Sequence, residues 1–376
     1  MKACINYLFV YRERFTSNVS DCAVDAATAA KIREIAERVV FEGVAETANC
    51  YIVKKGQKFS FLADTMGNGN RPTGSAITSS ALKGKSVKVL WSTFNTSTAP
   101  EDNALIKDLT ISKDIVSFTA GDKIGNAVIA LCDSNDNILW SWHIWICDDI
   151  KEQSYNGHTW LDRNLGALSA KAGNDLSLGL FYQFGRKDPF RGSAKKDANT
   201  YIQTTGTWPT AVNQFSGSAE AYAIANPMQL IKRQNSTLDD WFSADAAGQN
   251  HALWSSSGKT MYDPCPRGYR VPEKYAWNVG HTAGAAFFTS GNFTYDSSNL
   301  CRTYSDGNIT VVYPIAGCLS GLSGELTNVG TTGYYRTANK ATEEAHAEIL
   351  EIGASSINTS KGNYRSSAYS VRCVKE

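Results

Sequence analysis

Gly125-Asn126-Ala127-Val128-Ile129-Ala130-Leu131, then Asp133-Ser134-Asn135-Asp136-Asn137, then Ile138-Leu139-Trp140-Ser141-Trp142-His143-Ile144-Trp145-Ile146: this stretch decides the fold class. Two apolar runs rich in aliphatic and aromatic residues flank a cluster of Asp, Asn and Ser. The short side chains of that cluster hydrogen-bond nearby backbone and favour turns. The pattern predicts an antiparallel hairpin. Alternation puts Trp140, Trp142, Ile144 and Ile146 on one face of the second strand, and Leu139, Ser141, His143 and Trp145 on the other. The tryptophans suit either a sugar-stacking platform or a β-sandwich core with one aromatic outside, and the core is the simpler reading. His143 faces away from the Trp140 and Trp142 side, with no second metal-type ligand near it in sequence, so it reads as structural. If Cys132 and Ile138 flank the turn, Cys132 and Cys147 stand too far apart to bond.

Upstream, the same strand character appears in Asn49-Cys50-Tyr51-Ile52-Val53, Lys58-Phe59-Ser60-Phe61-Leu62, Ser86-Val87-Lys88-Val89-Leu90-Trp91 and Ile115-Val116-Ser117-Phe118. Residues 46–150 are therefore expected to form an all-β, immunoglobulin-like sandwich. Before them the period changes. Val24, Ala27, Ile32, Ile35, Ala36 and Val39 recur at helical spacing, Asp21 or Asp25 is a candidate cap, and Gly43 ends the run. Residues 1–45 thus read as a helical N-terminal extension. Residues 148–153 read as a linker into a second domain, 151–376.

Charge is balanced at 37 basic against 36 acidic side chains, so no electrostatic footprint points to nucleic acid or an anionic membrane. No run approaches the roughly 18–20 apolar residues of a membrane span. The opening residues carry one lysine and a short apolar run that Arg12, Glu13 and Arg14 interrupt, so an export signal is not visible. The nine cysteines cannot all pair within one chain.

Motifs for catalysis fail on inspection. Gly258-Lys259-Thr260 resembles the end of a phosphate loop, but the motif's first glycine would fall on Leu253. Gly67 and Gly69 lack the third glycine of a dinucleotide fingerprint, and Gly321-Leu322-Ser323-Gly324 is one residue short of a nucleophile elbow. His143, His158, His251, His281 and His346 are scattered and no Cys-x-x-Cys occurs, so neither a metal site nor a cofactor is expected. Paired glycosidase carboxylates are assembled in space and leave no linear signal. Nothing points positively to an enzyme.

From Trp160 onward, periodicity gives way to loop-embedded blocks: Trp160-Leu161-Asp162-Arg163-Asn164-Leu165-Gly166-Ala167, Gly179-Leu180-Phe181-Tyr182-Gln183-Phe184-Gly185-Arg186-Lys187-Asp188-Pro189-Phe190, Asp263-Pro264-Cys265-Pro266-Arg267-Gly268-Tyr269-Arg270-Val271-Pro272, and Ser370-Val371-Arg372-Cys373-Val374. Asp162, Arg163, Arg186 and Asp188 read as loop-pinning ion pairs, since an arginine fork can tie several acceptors. In order and content these blocks resemble the Fibrobacter succinogenes major paralogous domain of Bacteroidetes surface proteins. Phe184 and Tyr269 stand where that family has Trp, and Tyr335-Arg336-Thr337-Ala338-Asn339 departs from its usual Tyr-Trp-Ser-Ser/Ala-Ser. The segments around 48–53 and 125–146 are similar to the β-domain that often precedes it.

The resemblance implies an α+β, C-type-lectin-like C-terminal domain rich in ordered loops, at the cell surface or outer membrane. It also implies a bridge between Cys265 and Cys373, closing a loop of about 108 residues worth roughly 4–5 kcal/mol. Ligand-facing positions in such folds precede the closing strand, which here selects Tyr334, Tyr335, Arg336, Asn339, His346 and Glu348. The alternation in residues 345–352 puts His346 and Glu348 on one exposed face; solvated decoration is the competing reading of this set. The calcium-type signatures of sugar-binding lectins are missing. The expected protein is a non-catalytic, adhesin-like binder of a protein or glycan, with fimbrial or envelope partners. The rivals are a formylglycine-type oxidase using Cys301 and Cys318, and an envelope protein with no ligand.

Overall fold

The computed structural model describes residues 29–30, 43–235, 238–343 and 345–376. The expected helix over 21–40 falls outside the described residues, except that Ala29 and Ala30 are helical. Strand dominates elsewhere, as expected of a β-rich chain. The one complete α-helix among the described residues is Ala219–Ala225, begun by Ser218, whose side chain accepts from the Ala221 amide.

The first seven strands are β1 (Cys50–Val53), β2 (Lys58–Leu62), β3 (Ser86–Thr93), β4 (Ile106–Ser112), β5 (Ile115–Ala120), β6 (Gly125–Cys132) and β7 (Ile138–Ile146). They form two sheets, β1-β7-β6-β3 and β2-β5-β4. The hairpin is β6–β7, running from the Gly125/Ile146 pair to Cys132/Ile138 with an irregularity at Leu131/Cys132. Cys132 and Cys147 lie at its opposite ends as free thiols. Phe61 of β2 meets Trp142 of β7 edge-on at 5.0 Å, which joins the two sheets in one core.

The second face of β7 corrects the expectation of an outer surface. Ser141, His143 and Trp145 are all buried. Trp145 Nε1 donates to Ala167 O at 3.1 Å, Ser141 Oγ to Asp188 Oδ1 at 2.6 Å, and Lys187 Nζ to Ser141 O at 3.0 Å. A strand covered on both sides is written as a nearly continuous apolar run, and residues 138–146 are such a run. One hydrophobic cluster extends from Ala48 through the hairpin to Leu165, Tyr182, Trp254 and Val371. The two expected domains therefore share a core. The expected linker is short and ordered, since Glu152 already begins β8 (Glu152–Tyr155).

Five further sheets of two to four strands follow among the described residues. In one of them the chain's last strand, Val374–Lys375, lies between Tyr269–Arg270 and β9 (His158–Leu161). The motif blocks converge on the residues just before that strand. Cys373 is bonded to Cys265. Leu161 N donates to Cys373 O and Leu165 N to Val371 O. Arg372, fully buried, donates to Asn164 Oδ1 at 2.9 Å and Val312 O at 2.7 Å, and lies 4.4 Å over the Tyr313 ring. Lys259 Nζ supports the Cys265 loop, donating to Asp263 Oδ1 at 3.0 Å, Cys265 O at 2.8 Å and Tyr269 O at 2.6 Å. The lysine that resembled part of a phosphate loop is thus engaged inside the protein.

Candidate functional site

The three strands Thr332–Lys340, His346–Gly353 and Ile357–Tyr364 form an antiparallel meander. Its inner side packs Tyr335, Leu350 and Ile352 against Tyr313 and Phe293. Its other side carries an open groove of about 400 Å³. Tyr334 and Glu351 pair directly across the strands, so they share that side. Glu351 Oε1 takes Lys361 Nζ at 2.7 Å. Tyr334 stacks on Tyr369 with ring centroids 4.8 Å apart, and its hydroxyl accepts from Asn328 Nδ2 at 3.1 Å. Tyr369 in turn donates to Asn363 Oδ1 at 2.8 Å. His346, Tyr364, Cys318 and Leu322 are among the other lining residues, and Leu322 is 43% exposed.

Burial acts on the titratable groups here. It pushes the Tyr334 hydroxyl up to about 12, so the phenol stays protonated. It lowers His346 below its ordinary value, against the opposing pull of Asp239 and Glu343, and so favours a neutral imidazole at physiological pH. The groove therefore offers aromatic faces, a neutral imidazole, amide groups and one Glu–Lys pair. A cleft of this size suits a small ligand or part of a larger one, and its mix of flat rings and hydrogen-bonding groups suits a polar one.

The structure divides the residues selected from sequence. Tyr334 and His346 line the groove. Tyr335 and Arg336 do not, because both are fully buried. Tyr335 donates to Pro314 O inside the core. Arg336 donates to Tyr364 O at 2.5 Å and Ser367 O at 2.6 Å, with its guanidinium 4.1 Å over Tyr369. Burial lowers that guanidinium to about 10, against the weaker opposing pull of Tyr369 and Asp240. Asn339 is committed to structure, with Oδ1 accepting from Lys274 N at 2.8 Å and Nδ2 donating to Ser256 Oγ at 3.2 Å. Glu348 is buried 3.9 Å from Lys274 Nζ, so it does not share an exposed face with His346. Alternation misled at these positions because the strand 346–353 is covered on both sides. Glu351, Lys361 and Tyr369 also line the groove. They fall in the stretch before the closing strand where the resemblance implies ligand-facing positions, though outside the six residues selected. The groove depends on how the segment after the meander folds back over it.

The pinning residues bind as a set with altered partners. Arg163 Nε reaches Asp162 Oδ1 at 2.8 Å, and Arg163 Nη1 reaches Asp149 Oδ1 at 2.9 Å. Arg186 pairs with no carboxylate in its set; it ties Gln183 Oε1 at 2.9 Å, Gln229 O at 2.7 Å and Asn226 O at 3.1 Å. Asp188 pairs instead with Lys187 Nζ at 2.6 Å. Burial pushes the Cys301 thiol up to about 11 and raises Cys318, so neither supplies a thiolate nucleophile at neutral pH. Among the described residues, one cluster has metal-ligand composition, His158, Glu273 and His281.

No family model, no curated protein and no solved structure matches this chain.

Proposed function

We propose that this protein is a non-catalytic, adhesin-like binding protein of a bacterial surface, and that the groove on the 332–364 meander holds its ligand, a glycan or a protein. The reading takes the C-terminal region as a C-type-lectin-like relative of the Fibrobacter succinogenes major paralogous domain, and residues 46–150 as an immunoglobulin-like sandwich built onto it. Cell-surface or outer-membrane location and fimbrial or envelope partners follow from the same resemblance.

One observation carries the proposal. The groove brings aromatic and polar side chains together in an open cleft of about 400 Å³, at the segment where such folds present ligand-facing residues. The oxidase alternative calls on Cys301 and Cys318, and burial raises both thiols.

Glycan and protein arrays probed with the wild-type chain and with a Tyr334→Ala/Lys361→Ala double variant test the assignment. A reproducible signal that the variant loses is expected. An absent signal favours the ligand-free envelope role, and a signal unchanged in the variant removes the groove from consideration.

A further inference from the structure

His158, Glu273 and His281 come from three separate places in the chain. His158 opens β9, Glu273 follows the Val271-Pro272 end of the third motif block, and His281 closes the short 3-10 turn Val279–His281. One ligand atom from each lies within 4.8 Å of the other two. His158 Nε2 is 2.5 Å from Glu273 Oε1, and His281 Nδ1 is 4.0 Å from the same oxygen. The imidazoles lie parallel, centroids 3.8 Å apart.

The surroundings fix how these groups point. His281 Nε2 sits 2.5 Å from Asn156 O. A carbonyl can only accept, so Nε2 carries the hydrogen, and the nitrogen left to bind an ion is Nδ1, 4.0 Å from Glu273 Oε1. This is the arrangement in which a backbone carbonyl sets the tautomer of a metal-binding histidine. Asn156 is itself held by two bonds of 2.9 Å from its Nδ2, to Ala276 O and Asn278 O. At Gly157 a Cβ would come within 3.2 Å of His281 Cε1, so glycine there lets the ring lie against the turn. Arg270 Nη2 forms an ion pair with the other carboxylate oxygen at 2.9 Å, and Oε1 faces the two rings. All three side chains retain partial exposure, 15% for His158, 19% for Glu273 and 26% for His281, so an ion can enter from solvent.

We propose that His158 Nε2, Glu273 Oε1 and His281 Nδ1 form a binding site for a divalent transition ion of the zinc or copper class. Two imidazoles with one carboxylate are borderline donors that favour such ions over calcium or magnesium, which take oxygen ligands. With bonds of about 2.0–2.2 Å to each donor, neighbouring ligand atoms in a tetrahedral site stand roughly 3.3 Å apart. The His158–Glu273 contact must open and the His281–Glu273 contact close, each by less than about 1 Å, and the stacked rings must tilt apart so that both in-plane nitrogen lone pairs converge on one ion. Three protein ligands leave a coordination position for water or an external ligand.

Calorimetric titration of the full chain with zinc, paired with electron paramagnetic resonance of the copper(II) form, tests the site. The expected result is one ion per chain, with nitrogen hyperfine coupling in the copper spectrum. His158→Ala and His281→Ala should each weaken binding at least tenfold, and Cys318→Ser should leave it unchanged. Circular dichroism confirms that each variant is folded, and Glu273→Gln, which keeps the side chain's size, serves where an alanine variant is not. No saturable binding, or binding that survives in the folded ligand variants, overturns the proposal. Neither outcome bears on the groove, which contains none of these three residues.

Discussion

His143 Nε2 donates to Asn126 Oδ1 at 2.8 Å across the β6–β7 hairpin, and that bond fixes the state of a buried imidazole. Asn126 Nδ2 already donates to Asn95 Oδ1 at 2.9 Å and Gly166 O at 2.8 Å, so Oδ1 is the acceptor and Nε2 carries the hydrogen. Nδ1 is left as an acceptor beside Tyr182 Oη at 3.3 Å and Cys50 Sγ at 3.4 Å. The ring is neutral and its surroundings have no place for a second proton.

Acid sensitivity follows. Burial pushes His143 down to about 3, from an ordinary value of 6.5. The unfolded chain therefore takes up this proton first, and stability falls as pH drops from about 6.5 toward 3, with no contribution from this group above that window. At pH 5 the deficit is about 2 kcal/mol relative to pH 7. Urea unfolding of wild type and His143→Gln at both values measures it, and the variant should show a flatter dependence. Equal slopes would remove His143 as the source.

Arg336 is a support of the groove rather than a wall of it. Arg336→Ala removes charge-assisted bonds to Tyr364 O and Ser367 O and uncovers Tyr369, at a cost of about 3 kcal/mol. Tyr334→Ala, at a half-buried position, should cost about 1 kcal/mol or less while altering binding. Thermal unfolding of the two variants separates the roles, and a Tyr334 variant less stable than the Arg336 variant would reverse them.

Lys259 is the counter-ion of Asp263, which is fully buried. Lys259→Met keeps the volume and strands that carboxylate, so a loss of about 3–5 kcal/mol is expected. Joint replacement with Asp263→Asn should recover part of it. A Lys259→Met protein with an unchanged urea midpoint would show that the pair contributes nothing.

The Cys265–Cys373 bond closes a loop spanning 108 positions, worth roughly 4–5 kcal/mol through the unfolded chain. A reductant, or the double serine variant, should lower the denaturation midpoint accordingly. Peptide mapping without reductant should recover the two cysteines linked, and a free Cys373 thiol in that map would contradict the structure.

The sequence by itself determined the local elements. The turn at 133–137 specifies its hairpin through side chains that bond their own backbone, and the order of the motif blocks picks out the residues that meet at Arg372 and Cys373. Which faces are buried was decided only by tertiary structure. Alternation records that two sides of a strand differ, but not what covers each, so Trp145 read as outward and Tyr335, Arg336 and Glu348 read as ligand-facing. The groove and the His158–Glu273–His281 cluster were illegible for the same reason. Their members come from distant segments, and only the tertiary packing of the described residues brings them within reach of one another.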